Sequence, residues 1–236
     1  SILSIHAIST ETTMGLLDDL KKQAEQVKSQ QLSAQSLQDD TVRLVEEKMR
    51  QTFGYVNDLL KQLAVLKPVN PLVFSLPGLG DLNDLGFAES FVDYRRTRIG
   101  DREYLDLISF FIKWGSGQTM VIDRDMPAAA QKVRDALFAH GLRFQEEEMK
   151  GQRGTTGIWR FTVQANVVSD VVIRAEREKG GMLVITGKNL ERLGTDAFAI
   201  PAADVNEVLL EEFARILLGH PGAFRKYRTV VAVGPR

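Results

Sequence analysis

The sequence predicts an α+β fold, with an N-terminal helical hairpin or coiled-coil arm followed by a mainly antiparallel sheet domain holding two helices. Three observations predict it. Apolar residues recur every seven positions between residues 42 and 66. Three of the seven prolines then fall at Pro68, Pro71 and Pro77. Beyond residue 89, runs rich in β-branched and aromatic residues alternate with tight glycine turns.

Composition narrows the chemistry first. The chain has 236 residues, 44% hydrophobic and 26% charged, as globular domains have. It contains no cysteine, which excludes disulfides, thiol catalysis and Cys-ligated zinc or iron–sulfur sites. Thirty basic and thirty-one acidic residues leave a net charge of −1, so no overall field draws the chain to nucleic acid or lipid. No apolar run is long enough to span a bilayer, so no membrane insertion is expected. The expected compartment is the cytoplasm.

Residues 1–13 lack a basic start and a sustained apolar stretch, and they precede Met14-Gly15, which itself reads like the start of a protein. They read as a tag or leader, or as a native extended segment. Leu17, Leu20, Ala24 and Val27 form one stripe of a first helix. Ser29–Gln38 is Gln/Ser-rich and suggests a break, with Asp39 and Asp40 as caps for a second helix. On that helix Val42, Met49, Val56 and Leu63 occupy one heptad position, and Val45, Thr52, Leu59 and Leu66 the companion. An a/d seam of this length suits a coiled coil, so the first four are expected to bind a second copy or another protein. Gly54 weakens a rigid rod slightly.

Residues 1–67 thus read as leader and arm, 68–88 as a Pro/Gly connector and 89–236 as the α+β domain. Gly78-Leu79-Gly80 does not extend to a dinucleotide fingerprint, since Asn83 stands where the third glycine belongs. Residues 91–98 and 102–114 read as strands meeting at Gly100-Asp101. Gly115-Ser116-Gly117 reads as a turn into a strand at 118–123. A helix follows, with Asp125 as cap, Pro127 in its first turn and Gly141 as its stop. Strands are expected at 142–148, 158–164, 171–177 and 182–186, with a hairpin at Lys179-Gly180-Gly181. A last helix over 202–218 should bury Val205, Val208, Leu209, Phe213, Ile216 and Leu217, and a strand over 227–233 closes the chain. Both helices begin Pro-Ala-Ala and stop at glycine, which suggests a tandem βββαβ duplication of 89–150 and 158–233.

Catalytic motifs are missing. The three histidines, His6, His140 and His220, have no second His at helical spacing, so no metal site is expected. There is no Gly-x-Ser-x-Gly, and Thr186-Gly187-Lys188-Asn189 lacks the earlier glycine and the hydroxyl of a phosphate loop. Asp123 and Asp125 read as a cap and a surface pair, and Glu146-Glu147-Glu148 as a solvated face. Two basic clusters remain. Arg95, Arg96, Arg98 and Arg102 flank the first hairpin turn with Tyr94 and Tyr104, and Arg225, Lys226 and Arg228 border the last strand. The expected function is therefore a non-enzymatic interaction or assembly protein, with no cofactor and no catalytic residue. The alternative is binding of a phosphate ligand, nucleotide or RNA through residues 94–104, where arginines and tyrosines could hold phosphates and stack bases.

Overall fold

The structure is a computed structural model, and it describes residues 16–149, 157–178 and 180–229. Its N-terminal part is one helix, α1 (Leu16–Leu66), where a pair was expected. Nothing between residues 16 and 53 is Gly or Pro, and glutamine, alanine and leucine between them favour helix. The serines do not interrupt it: the Ser33 hydroxyl donates to the Ser29 carbonyl at 2.9 Å. Lys67, with φ 46°, and Pro68 end the helix.

α1 has two regimes. Every residue from 16 to 40 is exposed. From residue 41 onward one stripe is buried: Val42, Val45, Met49, Thr52, Val56, Leu60 and Leu63. The division into compact units falls at this same point, between Asp40 and Thr41. The stripe also corrects the heptad reading. It steps from Val56 to Leu60, leaving Leu59 half-buried and Leu66 at the surface, as the 3.6-residue turn of an uncoiled helix dictates. Val42, Met49, Val56 and Leu63, expected to face a partner, are 9%, 0%, 1% and 3% exposed within their own chain.

The expected connector belongs to the core. It holds three short strands, β1 (Val69–Asn70), β2 (Phe74–Leu76) and β3 (Gly80–Leu82). β2 and β3 pair as a separate ribbon whose Phe74, Leu76 and Leu82 are buried.

The main sheet is antiparallel throughout. It comprises β1, β4 (Leu85–Ile99), β5 (Arg102–Arg124), β6 (Phe144–Met149), β7 (Ile158–Glu176), β8 (Met182–Lys188), β9 (Thr195–Pro201) and β10 (Arg228–Thr229). Their order is β1-β4-β5-β7-β8-β9-β10, with β6 also on β7. The Gly100-Asp101 turn joins β4 to β5 as expected. Gly115-Ser116-Gly117 is not a turn: β5 runs through it, and its register on β7 slips between Gly115 and Thr119. Segment 158–164 and residues 171–176 of the segment expected at 171–177 are parts of one strand, β7, and β9 is a strand the sequence did not reveal. Lys179 and residues 230–233 lie outside the described residues.

α2 (Pro127–His140) starts and stops as expected, although Met126 and not Asp125 takes the N-cap position. Gly141, at φ 69°, ends it with its N–H turned back to the Leu137 and Phe138 carbonyls. α3 (Glu207–Leu217) begins later than expected, because the Asn206 side chain accepts from the Leu209 N–H at 2.9 Å and caps the helix there. That start turns Val208 outward, 70% exposed.

The three helices share one pleat face of the sheet. Phe213 of α3 meets Phe110 at 6.4 Å, Phe53 of α1 meets Tyr94 at 5.0 Å, and Arg134 of α2 lies 5.9 Å over Phe161. Alternate residues of β7 from Phe161 to Ile173 are buried beneath them. The duplication fails on strand order. β6, after α2, pairs with β7 of the other half, whereas β10, after α3, pairs with β9 of its own.

Candidate functional sites

The six residues of the arginine hairpin are dispersed. Tyr94 and Arg96 face α1 and line a cleft of about 240 Å³ with Arg50, Phe53 and Leu105. The Arg96 guanidinium sits 5.4 Å over the Tyr94 ring, which also meets Phe53 in a T-shaped contact. Arg95 stands opposite Leu107 on the other pleat face. Arg98 bends to the turn, where its Nε donates to the Gly100 carbonyl at 3.3 Å, and Arg102 begins β5 beside it. Tyr104 lies under a different cation, Arg177, at 5.8 Å.

Charges within the cleft are partly neutralised. Arg50 donates from Nε to Glu46 at 2.6 Å, and Arg96 pairs with Glu103 at 3.6 Å. The second Glu46 oxygen accepts the Leu105 N–H at 2.7 Å, pinning α1 to the start of β5. Sequence reasoning missed Glu46, Arg50 and Phe53 because they belong to a helix 40 or more residues away; their only local signal was an i, i+4 charge pair.

The second basic cluster is structural. Arg225 donates from Nε to Glu191 Oε1 at 2.8 Å, and Arg228 reaches Oε2 at 2.6 Å. Burial works to raise the Glu191 pKa, but the two guanidinium groups outweigh it and hold the carboxyl below its ordinary range. Lys226 packs 4.9 Å from the Tyr227 ring. The same logic holds elsewhere on the surface. Asp123 takes a bidentate pair from Arg160 at 2.7 and 2.8 Å, and its pKa is lowered by that hydrogen bond. Glu146 does the same with Arg134.

Among the described residues no group of three or more His, Asp or Glu side chains is arranged to hold a metal ion. His140 lies in the last turn of α2, His220 follows α3, and His6 lies outside the described residues. No described helix is long and apolar enough to cross a membrane.

The other candidate is the first part of α1. Leu17, Leu20 and Val27 are 64%, 52% and 51% exposed on one helix face. Comparisons with protein-family models, with curated proteins and with solved structures give no significant match to this chain.

Proposed function

We propose that this chain is a non-enzymatic interaction protein that assembles with a second copy through residues 16–40 of α1. One observation carries the reading: twenty-five consecutive helical residues are all exposed, and they include the stripe Leu17, Leu20, Ala24 and Val27. Most helical stability in proteins comes from packing of an apolar face, and among the described residues nothing of this chain covers the one at 16–40. The seam first read at residues 42–63 lies inside the fold, so the interface moves to this earlier stripe.

Charge placement favours parallel pairing of like chains. With Leu17 and Ala24 at a, and Leu20 and Val27 at d, the e positions are Lys21 and Lys28, and the g positions Gln23 and Gln30. A parallel pair sets Gln23 against the other copy's e-position lysine, whereas an antiparallel pair sets lysine against lysine. Sedimentation velocity of the full chain tests this. A dimer that becomes monomeric on Leu20→Lys with Val27→Lys, at unchanged far-UV dichroism, supports it. A wild-type chain that is monomeric at tens of micromolar removes self-assembly.

The phosphate, nucleotide or RNA alternative has in its favour the cleft beside Tyr94 and Arg96. Against it, both guanidinium groups there already face Glu46 and Glu103.

A further inference from the structure

β7 changes neighbours along its length. Its first part, Ile158 to Val163, pairs with β6, and its last part, Asp170 to Glu176, with β8 on the same edge. Between them, among the described residues, 165–169 have no strand beside them on this edge, while β5 pairs with 166–169 on the other. One side chain spans part of the gap: the Asn189 Nδ2 donates to the Val168 carbonyl at 3.1 Å, and the Ser169 hydroxyl donates to the Asn189 carbonyl at 2.7 Å.

A cavity of about 250 Å³ opens here, lined by Phe111, Val168, Asn166, Lys113, Arg143 and Glu89. Phe111, Lys113, Val168 and Glu89 lie on the pleat face opposite the helices. Phe91, 59% exposed, continues the apolar wall, its ring 6.4 Å from Phe111. Lys188 stands next to the opening, where a Cβ on Gly141 would come within 3.3 Å of its Nζ. Space for the Asn166 amide exists because Gly115 beside it has no side chain.

Several cations elsewhere on the surface are neutralised. Arg134, Arg160, Arg225 and Arg228 each hold a carboxylate. Among the described residues the side chains of Lys113, Arg143 and Lys188 form no ion pair or hydrogen bond, although Glu89 and Asp170 stand opposite two of them in the register. Like charges around a concave, partly apolar wall raise the local potential and favour an anion. Arg143 offers a planar fork suited to a carboxylate, and Lys113 a point charge. Phe111 and Val168 offer apolar contact to the rest of the molecule. Glu89 disfavours a second negative charge.

We propose that this cavity binds a small organic monocarboxylate with a flat or short apolar body. The test uses sodium benzoate on the full chain, followed by amide chemical shifts. Benzyl alcohol supplies the body without charge, inorganic phosphate the charge without body, and phenyl phosphate the extra charge. Saturable shifts confined to residues 111–113, 141–143 and 166–168, stronger for benzoate than for all three controls, are expected. Arg143→Gln and Lys113→Gln should each weaken benzoate about tenfold, the worth of one charge-assisted contact. Glu89→Gln should improve phenyl phosphate. The proposal is overturned if shifts do not saturate, fall elsewhere, match those of benzyl alcohol, or persist undiminished in both variants. Arg143 is exposed and Lys113 partly buried, so loss of fold is checked by the unchanged remainder of the spectrum.

Discussion

Met49 and Leu20 lie on one helix and should fail in opposite ways. Met49 is 0% exposed, in a core cluster with Val45, Val56 and Leu60. Met49→Ala removes buried atoms and leaves a cavity, at a cost of about 2–5 kcal/mol. At the middle of that range, Tm falls by roughly 7–14 °C for a chain of this size. Oligomeric mass should not change, because the side chain touches only its own chain. Leu20 is 52% exposed, so Leu20→Lys should shift folding stability by no more than about 0.5 kcal/mol while lowering the assembled mass. Calorimetry and sedimentation on the same samples give both readings, and Leu63→Ala, 3% exposed, repeats the first case. The reasoning is refuted if Met49→Ala leaves Tm within about 2 °C and dissociates the protein, since an interface residue loses its contacts with a second chain and not with its own core.

Other expectations follow from particular contacts. Gly180 and Gly181 have φ of 88° and 80°, so alanine at either costs about 1–2 kcal/mol in backbone conformation. A Cβ at Gly181 would also lie 2.6 Å from Val45 Cγ2, while Gly180 meets nothing, so Gly181→Ala should cost about 1–3 kcal/mol more; equal denaturation midpoints would deny the packing. Asn189→Ala strands the Val168 carbonyl and the Gly194 N–H together, for a loss of about 2–4 kcal/mol by urea unfolding, and a loss under 0.5 kcal/mol would count against this network. Glu191 is held below its ordinary 4.5, so its contribution to stability is complete above that value and is lost as pH falls through the lower folded value. Amide exchange should therefore show residues 223–229 loosening first in acid, and Glu191→Gln should remove that pH dependence; an unchanged acid slope in the variant would exclude Glu191 as its source.

The sequence was most legible where local chemistry decides. Gly100-Asp101 could only be a tight turn between two β-rich runs, and Pro127 with Gly141 fixed the limits of α2. It was least legible where one residue type serves two ends. The glycines of Gly115-Ser116-Gly117 can make a turn or a bulge, and only the pairing of β5 with β7 along both halves decides between them. The Gln/Ser stretch before Asp39 read as a linker because serine favours turns, yet nothing in it breaks a helix. β9, written Thr-Asp-Ala-Phe-Ala-Ile-Pro, is alanine-rich and lacks the β-branched density of its neighbours. The buried face of α1 was read correctly as far as Val56 and at Leu63, but periodicity says only that a face is covered. Whether another chain or the same one covers it is a tertiary fact. The carboxylate cavity is illegible for a like reason: Lys113 on β5, Arg143 just before β6 and Asn166 on β7 meet only along β7 between its pairing with β6 and its pairing with β8.

That change of neighbours along β7 also sets the order in which the chain can assemble. The ends of β5 and β7 that meet at Arg124 and Trp159 are the closest in sequence, and those at Leu107 and Arg174 the farthest apart. Loop closure therefore favours zipping from the α2 end toward the β8 end. On a ribosome the same order is enforced by time, since β5, α2 and β6 are all made before β7, and β8 only after it. Each half of β7 thus emerges when its proper partner is the next strand available, and a slip of one residue would turn Phe161 and Val171 out to solvent together. A circular permutant that begins at β7, and so is made with β6 last, should break this agreement and refold more slowly than the parent chain.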